Sequence, residues 1–197
     1  MKRKLPIGSL KTISQILSEY NFLQYGTRKR NLAYQLQYLE FKLSFLYKYK
    51  VYGSIEKIMC REIVISITNI IEYLLFVSLR EIYKHDPKNH KLPSLIGQAR
   101  RKDLIKQEIA KELNEIVKLR NKLHPSKQKK ELDINCFTIR NVNSCMHALS
   151  TLRDELRNAF NKRRAKIILK DEVCHYEGYS QVLFDDFLCP YCGEVHY

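Results

Sequence analysis

At 197 residues the chain has room for one domain with a sizeable core and a small appendage. Its composition, 45% apolar and 28% charged with only 6 Gly and 5 Pro, excludes a disordered or low-complexity polymer and favours helix. A formal charge of +14 points to a polyanionic partner, RNA or DNA, and the lack of a glycine-rich phosphate loop argues against nucleoside-triphosphate hydrolysis.

Taken in chain order, residues 9–25 (SLKTISQILSEYNFLQY) carry apolar side chains at helical spacing behind Ser9, a residue suited to cap the start, and Gly26 ends the pattern. Over 28–50 two stripes run side by side. Leu32, Leu36, Leu39, Leu43 and Leu46 form one; Tyr34, Tyr38, Phe41 and Phe45 form the other, displaced by two residues or about 200° around a helix. One stripe serves the core, and the other needs a second helix or a second subunit. Residues 1–53 are therefore expected to be N-terminal helices that pack on a bundle or on a homodimer partner.

Helical pattern resumes after Tyr52-Gly53-Ser54 and runs to Tyr83. It contains the longest apolar stretch, IVISITNIIEYLLFVSL (63–79), which Asn69 and Glu72 interrupt. That stretch reads as a buried core helix and not a membrane span, and MKRKLPIGSLK lacks the apolar run of a secretory signal, so a cytoplasmic protein without a membrane partner is expected. Glu62, Ile65, Asn69, Glu72 and Phe76 share one face of this helix, which must either be exposed or hold a charge.

LPSLIGQARRKDLI (92–105) predicts a short helix and turn, and a further helix follows over 103–123. A basic loop, SKQKK (126–130), leads to a last long helix over 138–168, with Met146, Leu149, Leu152, Leu156 and Phe160 as its inner face. The fold class is all-α, with a helical bundle over 54–170 and a boundary near Lys170.

The helix over 103–123 ends in KLRNKLHP (118–125). Its apolar seam is Ile109, Leu113 and Ile116, and the next step of four is Arg120, where a core residue would be expected. An unpaired buried charge costs several kcal/mol, so the arginine needs a partner, and Glu62 and Glu72 are the candidates. His124 stands one turn further on, before Pro125, at a helix C-terminus whose dipole favours the imidazolium. Such a histidine titrates near neutral pH and can both give and take a proton.

This pair suits metal-independent RNA cleavage. His124 would move the protons, Arg120 would stabilise the charge on the phosphorus centre, and Asn121 would orient the phosphate or the histidine. The alternative is structural: Arg120 ties helices together through Glu72 or Glu62, and His124 caps carbonyls at the helix end.

Three pieces in order, the long helix with NIIEYLL, the segment LPSLIGQARRKDLI, and the helix ending LRNKLHP followed by another long helix, resemble a HEPN domain (higher eukaryotic and prokaryotic nucleotide-binding). The likeness covers about Ile63 to Leu156. It implies an up-and-down all-α bundle, homodimerisation with the motif helices near the subunit interface, and, in active members, endoribonuclease activity in toxin–antitoxin, phage-defence or RNA-processing settings. Arg120, Asn121 and His124 match the family motif, although three residues separate the arginine from the histidine where the family usually has four to six. An antitoxin or defence-system partner is implied with it. Non-catalytic members bind nucleotides, RNA or proteins, so an RNA-binding or protein-interaction module is the alternative function.

Of the 6 cysteines, Cys60, Cys136 and Cys145 are isolated and the others crowd the tail DEVCHYEGYSQVLFDDFLCPYCGEVHY (171–197). The CPYCG turn presents two thiolates to one metal, and Cys174, Cys189, Cys192 and His196 would close a tetrahedral structural zinc site, with His175 as the rival fourth ligand. The catalytic site itself needs no metal. His85 and His90 have no spaced companions, and His147 is expected at the inner face of the last helix as a core or interface residue. The basic runs Arg100, Arg101, Lys102 and Lys127, Lys129, Lys130 flank the motif in sequence and together would track phosphates.

Overall fold

The computed structural model describes residues 10–24, 26–49, 51–122 and 136–171, the stretch 165–171 as backbone only. Among the described residues there are six helices and no strand: α1 Ile13–Glu19, α2 Thr27–Lys48, α3 Gly53–Tyr83, α4 Leu92–Arg101, α5 Gln107–Asn121 and α6 Ile139–Asp171. The protein is all-α. Element boundaries follow the sequence periodicity closely, with one difference at the start. The first helix begins behind Thr12, not Ser9, because Thr12 and Gln15 form a reciprocal capping box: Gln15 N–H donates to Thr12 Oγ1 at 3.2 Å and Thr12 N–H to Gln15 Oε1 at 2.8 Å. It also ends early, at Glu19, and the turns that follow drop Tyr20, Phe22 and Leu23 into the core.

At the centre lies α3, which packs against α2, α4, α5 and α6. By length and composition it could cross a bilayer, yet most of its apolar stretch is buried inside the bundle, as in a core helix. Ile63, Val64, Ile67, Ile70, Ile71, Leu74 and Leu75 are all shut away from solvent. Fully burying one such side chain contributes roughly 1.5–3 kcal/mol, so α3 organises the remaining helices.

The N-terminal helices join this bundle directly. Leu32, Leu39 and Leu46 of α2 are buried in the shared core, and Tyr73 Oη of α3 donates to the Arg28 carbonyl at 3.3 Å. Against the end of α1, α6 brings a row of arginines: Arg153 pairs with Glu19 at 3.3 Å, Arg157 Nη2 donates to the Glu19 carbonyl at 2.6 Å, and Arg164 Nη2 to the Phe22 carbonyl at 3.4 Å. Arg157 thus meets a carbonyl that the C-terminus of α1 leaves unpaired, Arg153 the carboxylate of the same residue, and Arg164 a carbonyl of the turn that follows. Phe22 and Phe160 close the contact, with ring centroids 5.8 Å apart.

Behind this contact, Gln24 N–H donates to Glu81 Oε1 at 2.9 Å. Burial raises the Glu81 carboxyl above the usual carboxylate range, offset in part by the Gln24 N–H and by Lys84, Arg164 and Lys29. A raised value means that the folded state binds this proton more tightly than the unfolded chain does. The ionised group therefore costs stability at neutral pH, and the cost vanishes below the ordinary carboxylate range. Glu81→Gln keeps an acceptor for Gln24 and carries no charge. Thermal melts should show the variant about 2 °C more stable than wild type at pH 7.5 and no different at pH 4.

Candidate active site around Arg120

Helix α5 is pinned at its start by α6, where Glu155 Oε2 accepts from Lys106 N–H at 2.8 Å. Ile109, Ala110, Leu113 and Ile116 bury its inner face. The next step of four brings Arg120 to the place where this seam reaches the surface, with its side chain 32% exposed. Its Nη1 donates to Glu72 Oε2 at 2.5 Å, and Glu72 is 29% exposed. Of the two acidic candidates on α3, Glu72 is therefore the partner. Glu62 lies ten residues back and is exposed, and its carbonyl accepts from Ser66 Oγ at 2.9 Å.

The face predicted to be exposed or to hold a charge does both. Glu62 and Asn69 are exposed, Ile65 and Phe76 are half-buried, and Glu72 holds the arginine. A guanidinium carries five N–H donors in a planar fork, and the Glu72 contact is made through one nitrogen. The remaining donors can meet a second anion, and a phosphate oxygen has the right geometry for them. Asn121, the next residue, is exposed, and Lys122 N–H closes the helix on the Arg120 and Leu119 carbonyls.

One turn along α3 from Glu72, Phe76 packs against His90 with ring centroids 5.0 Å apart. His90 is thus docked on α3 one turn beyond Glu72, although nothing in its loop, HDPKNHKLP, marks it. His124 lies outside the described residues, as do Lys127, Lys129 and Lys130 and all the zinc candidates Cys174, His175, Cys189, Cys192 and His196. Among the described residues no group of three or more His, Cys, Asp or Glu is placed to hold a metal. Cys60 and Cys145 are buried free thiols, and burial pushes the Cys145 thiol up to about 11.

Arg100, Arg101 and Lys102 gather at the other end of α5. Arg100 Nη1 donates to Gln107 Oε1 at 2.6 Å, Lys102 Nζ sits 5.0 Å over the Tyr83 ring, and Arg163 Nη2 of α6 donates to the Lys102 carbonyl at 2.6 Å. At 1.5 Å per residue, the rise from Gln107 to Arg120 puts about 20 Å between this basic cluster and the Arg120 pair. The two neighbour each other in sequence and stand apart in space.

His147, expected as a core or interface residue, is not in the core: it is exposed, with Nδ1 3.8 Å from Glu112 Oε2 on α5. The inner face is set by Leu149, Leu152, Leu156 and Phe160, and a residue just after Met146 turns about 100° away from it.

Comparison with protein-family models, with curated proteins and with solved structures gives no match to this chain.

Because each partner of the Arg120–Glu72 pair is about one-third exposed, solvent screens the attraction. A double-mutant cycle with Arg120→Ala and Glu72→Ala, followed by urea unfolding, should give a coupling of about 1 kcal/mol. A coupling near zero would show that the two side chains do not hold each other in solution.

Proposed function

We propose that the protein is a HEPN-like, metal-independent endoribonuclease of the cytoplasm, working as a homodimer and as the effector of a toxin–antitoxin or phage-defence system. The observation that supports this is the Arg120–Glu72 pair: a cation steadied by a carboxylate where a core seam reaches the surface, with a surface asparagine next to it, in a chain of charge +14. Resemblance to the HEPN motif supplies the roles.

In this reading His124 takes the proton of a ribose 2′-hydroxyl. The freed oxygen attacks the adjacent phosphorus, the bond from phosphorus to the 5′-oxygen breaks, and that oxygen leaves with the proton that the His124 imidazolium gives back. The products are a 2′,3′-cyclic phosphate and a 5′-hydroxyl. Arg120 offsets the negative charge that builds on the phosphorane, and Asn121 orients the phosphate or the imidazole. The tail from Cys174 to His196 adds a structural zinc element, whose closed four-ligand site takes no part in the chemistry.

One observation favours a second reading. Glu72 already neutralises Arg120, and a guanidinium held in that way serves equally as a tie between α3 and α5. With only three residues between Arg120 and His124, the protein would then be a non-catalytic RNA-binding or protein-interaction module.

Incubation of the purified protein with structured RNAs in EDTA separates the two. Wild type should cleave and leave 2′,3′-cyclic ends, Arg120→Ala and His124→Ala should each lose at least about 100-fold in rate, and light scattering should give the mass of two chains. RNA or protein binding without cleavage establishes the module instead. Metal analysis tests the tail: about one zinc per chain in wild type and none in Cys192→Ser is expected, and a folded, zinc-free wild type rejects the site.

A further inference from the structure

The large hydrophobic side chains left exposed among the described residues, Tyr34, Tyr38, Tyr47, Tyr52, Ile55 and Ile58, all fall between positions 34 and 58. Scattered exposure is ordinary, but concentration in one short segment marks a surface that meets something. Its main part is the outer stripe of α2. Tyr34 is 52% and Tyr38 58% exposed, Phe41 and Phe45 are half-buried, and all point away from the leucines that face α3.

These rings form a ladder rather than a packed core. Tyr38 and Phe41 lie nearly parallel, 11° apart with centroids at 6.4 Å, and Phe45 stacks on Tyr49 at 4.7 Å. From Tyr34 to Tyr49 the helix rises about 22 Å. Lys42 Nζ stands 4.4 Å from the Tyr38 ring centre and also donates to Ser66 Oγ of α3 at 2.8 Å. Of the cations of α2, Lys29 is buried and Arg28 lies on the leucine side, whereas Arg30 and Lys48 border the aromatic stripe and Lys42 stands beside it; the one acid of the helix, Glu40, is turned toward α1, where it accepts from Lys11 N–H at 3.0 Å.

We infer that the outer face of α2 is a stacking platform for single-stranded RNA. Charge decides between the occupants. A second copy laid on this face would set its cations against their own equals with no α2 carboxylate to answer them, whereas a polyanion is complementary to it. Exposed aromatic rings interleaved with cations are what unpaired bases and their phosphates require, since each base offers a π-face and each linkage a charge. A double helix hides its bases and gains nothing from the rings.

Ser66, which Lys42 reaches, precedes Glu72 by six residues, about 9 Å along α3 and about 120° around it, so the platform and the Arg120 pair are separate features of the surface. The inference rests on the RNA reading above for the identity of the polymer, and its test uses binding, so that it can stand or fall apart from cleavage.

Fluorescence anisotropy with a labelled 12-nucleotide oligouridine and with an RNA duplex of the same length, in EDTA, measures the affinity of the full chain. Tyr34→Ala/Tyr38→Ala should weaken oligouridine binding by at least about 10-fold and leave duplex binding unchanged. Tyr34→Phe/Tyr38→Phe, which keeps the rings, should bind as wild type does. Retention of this pattern in Arg120→Ala, even if wild type cleaves nothing, upholds the platform while the nuclease reading fails. Unchanged oligouridine binding in the alanine variant overturns the platform. So does a halved solution mass with unchanged binding, which would make the face a subunit seam. Tyr-dependent binding to vesicles of anionic phospholipid in preference to oligouridine would make it a membrane surface and overturn it as well.

Discussion

Burial of α3 is the constraint on which the other features depend. A helix of 31 residues that is apolar on most of its faces cannot be left in water, and no single neighbour can cover it. Four helices, α2, α4, α5 and α6, are drawn onto it. Left partly open is the strip through Glu62, Ile65, Asn69, Glu72 and Phe76, on which the sequence places three polar groups. The candidate site lies on that strip, where Glu72 can hold a cation without burying it.

Arginines at helix ends appear twice in this fold, and the contrast between them is instructive. Arg157 and Arg164 meet backbone carbonyls, which is the chemistry of a structural clamp: the acceptors are fixed, uncharged and already part of the fold. Arg120 meets a side-chain carboxylate through one nitrogen, with the pair partly open to solvent. A competing anion gains little by attacking the first arrangement. It has donors available in the second, at the cost of sharing the guanidinium with Glu72.

Much of the fold is legible in the sequence because its helices are long and their apolar spacing is regular; the leucines of α2 and the inner face of α6 fall where periodicity puts them. The Arg120–Glu72 contact was within reach for the same reason, since a charge on an apolar seam leaves few partners. Other features have no local signature. Whether Thr12 or Ser9 caps α1 depends on which of them finds a reciprocal partner, and the Lys84 backbone at φ 61 depends on how α3 is made to stop. The aromatic stripe of α2 was readable as a second apolar face, but periodicity carries no information on what covers a face. The separation of Arg100, Arg101 and Lys102 from Arg120 follows from the length of α5, and proximity in sequence hid it.

The clamp between α1 and α6 also bears on how the molecule is made. Its contacts join residues 134 to 142 positions apart, among the longest loops this chain closes. Closure entropy grows with loop length, and contacts of this span form after local ones. During synthesis α1 leaves the ribosome before the arginines that receive it, which belong to the last described helix. Until they emerge, the segment from α1 to Leu23 lacks the cations and the Phe160 ring that close over it, so the earliest of the described helices is among the last to be locked in place, and the nascent bundle carries an open apolar edge until α6 is made.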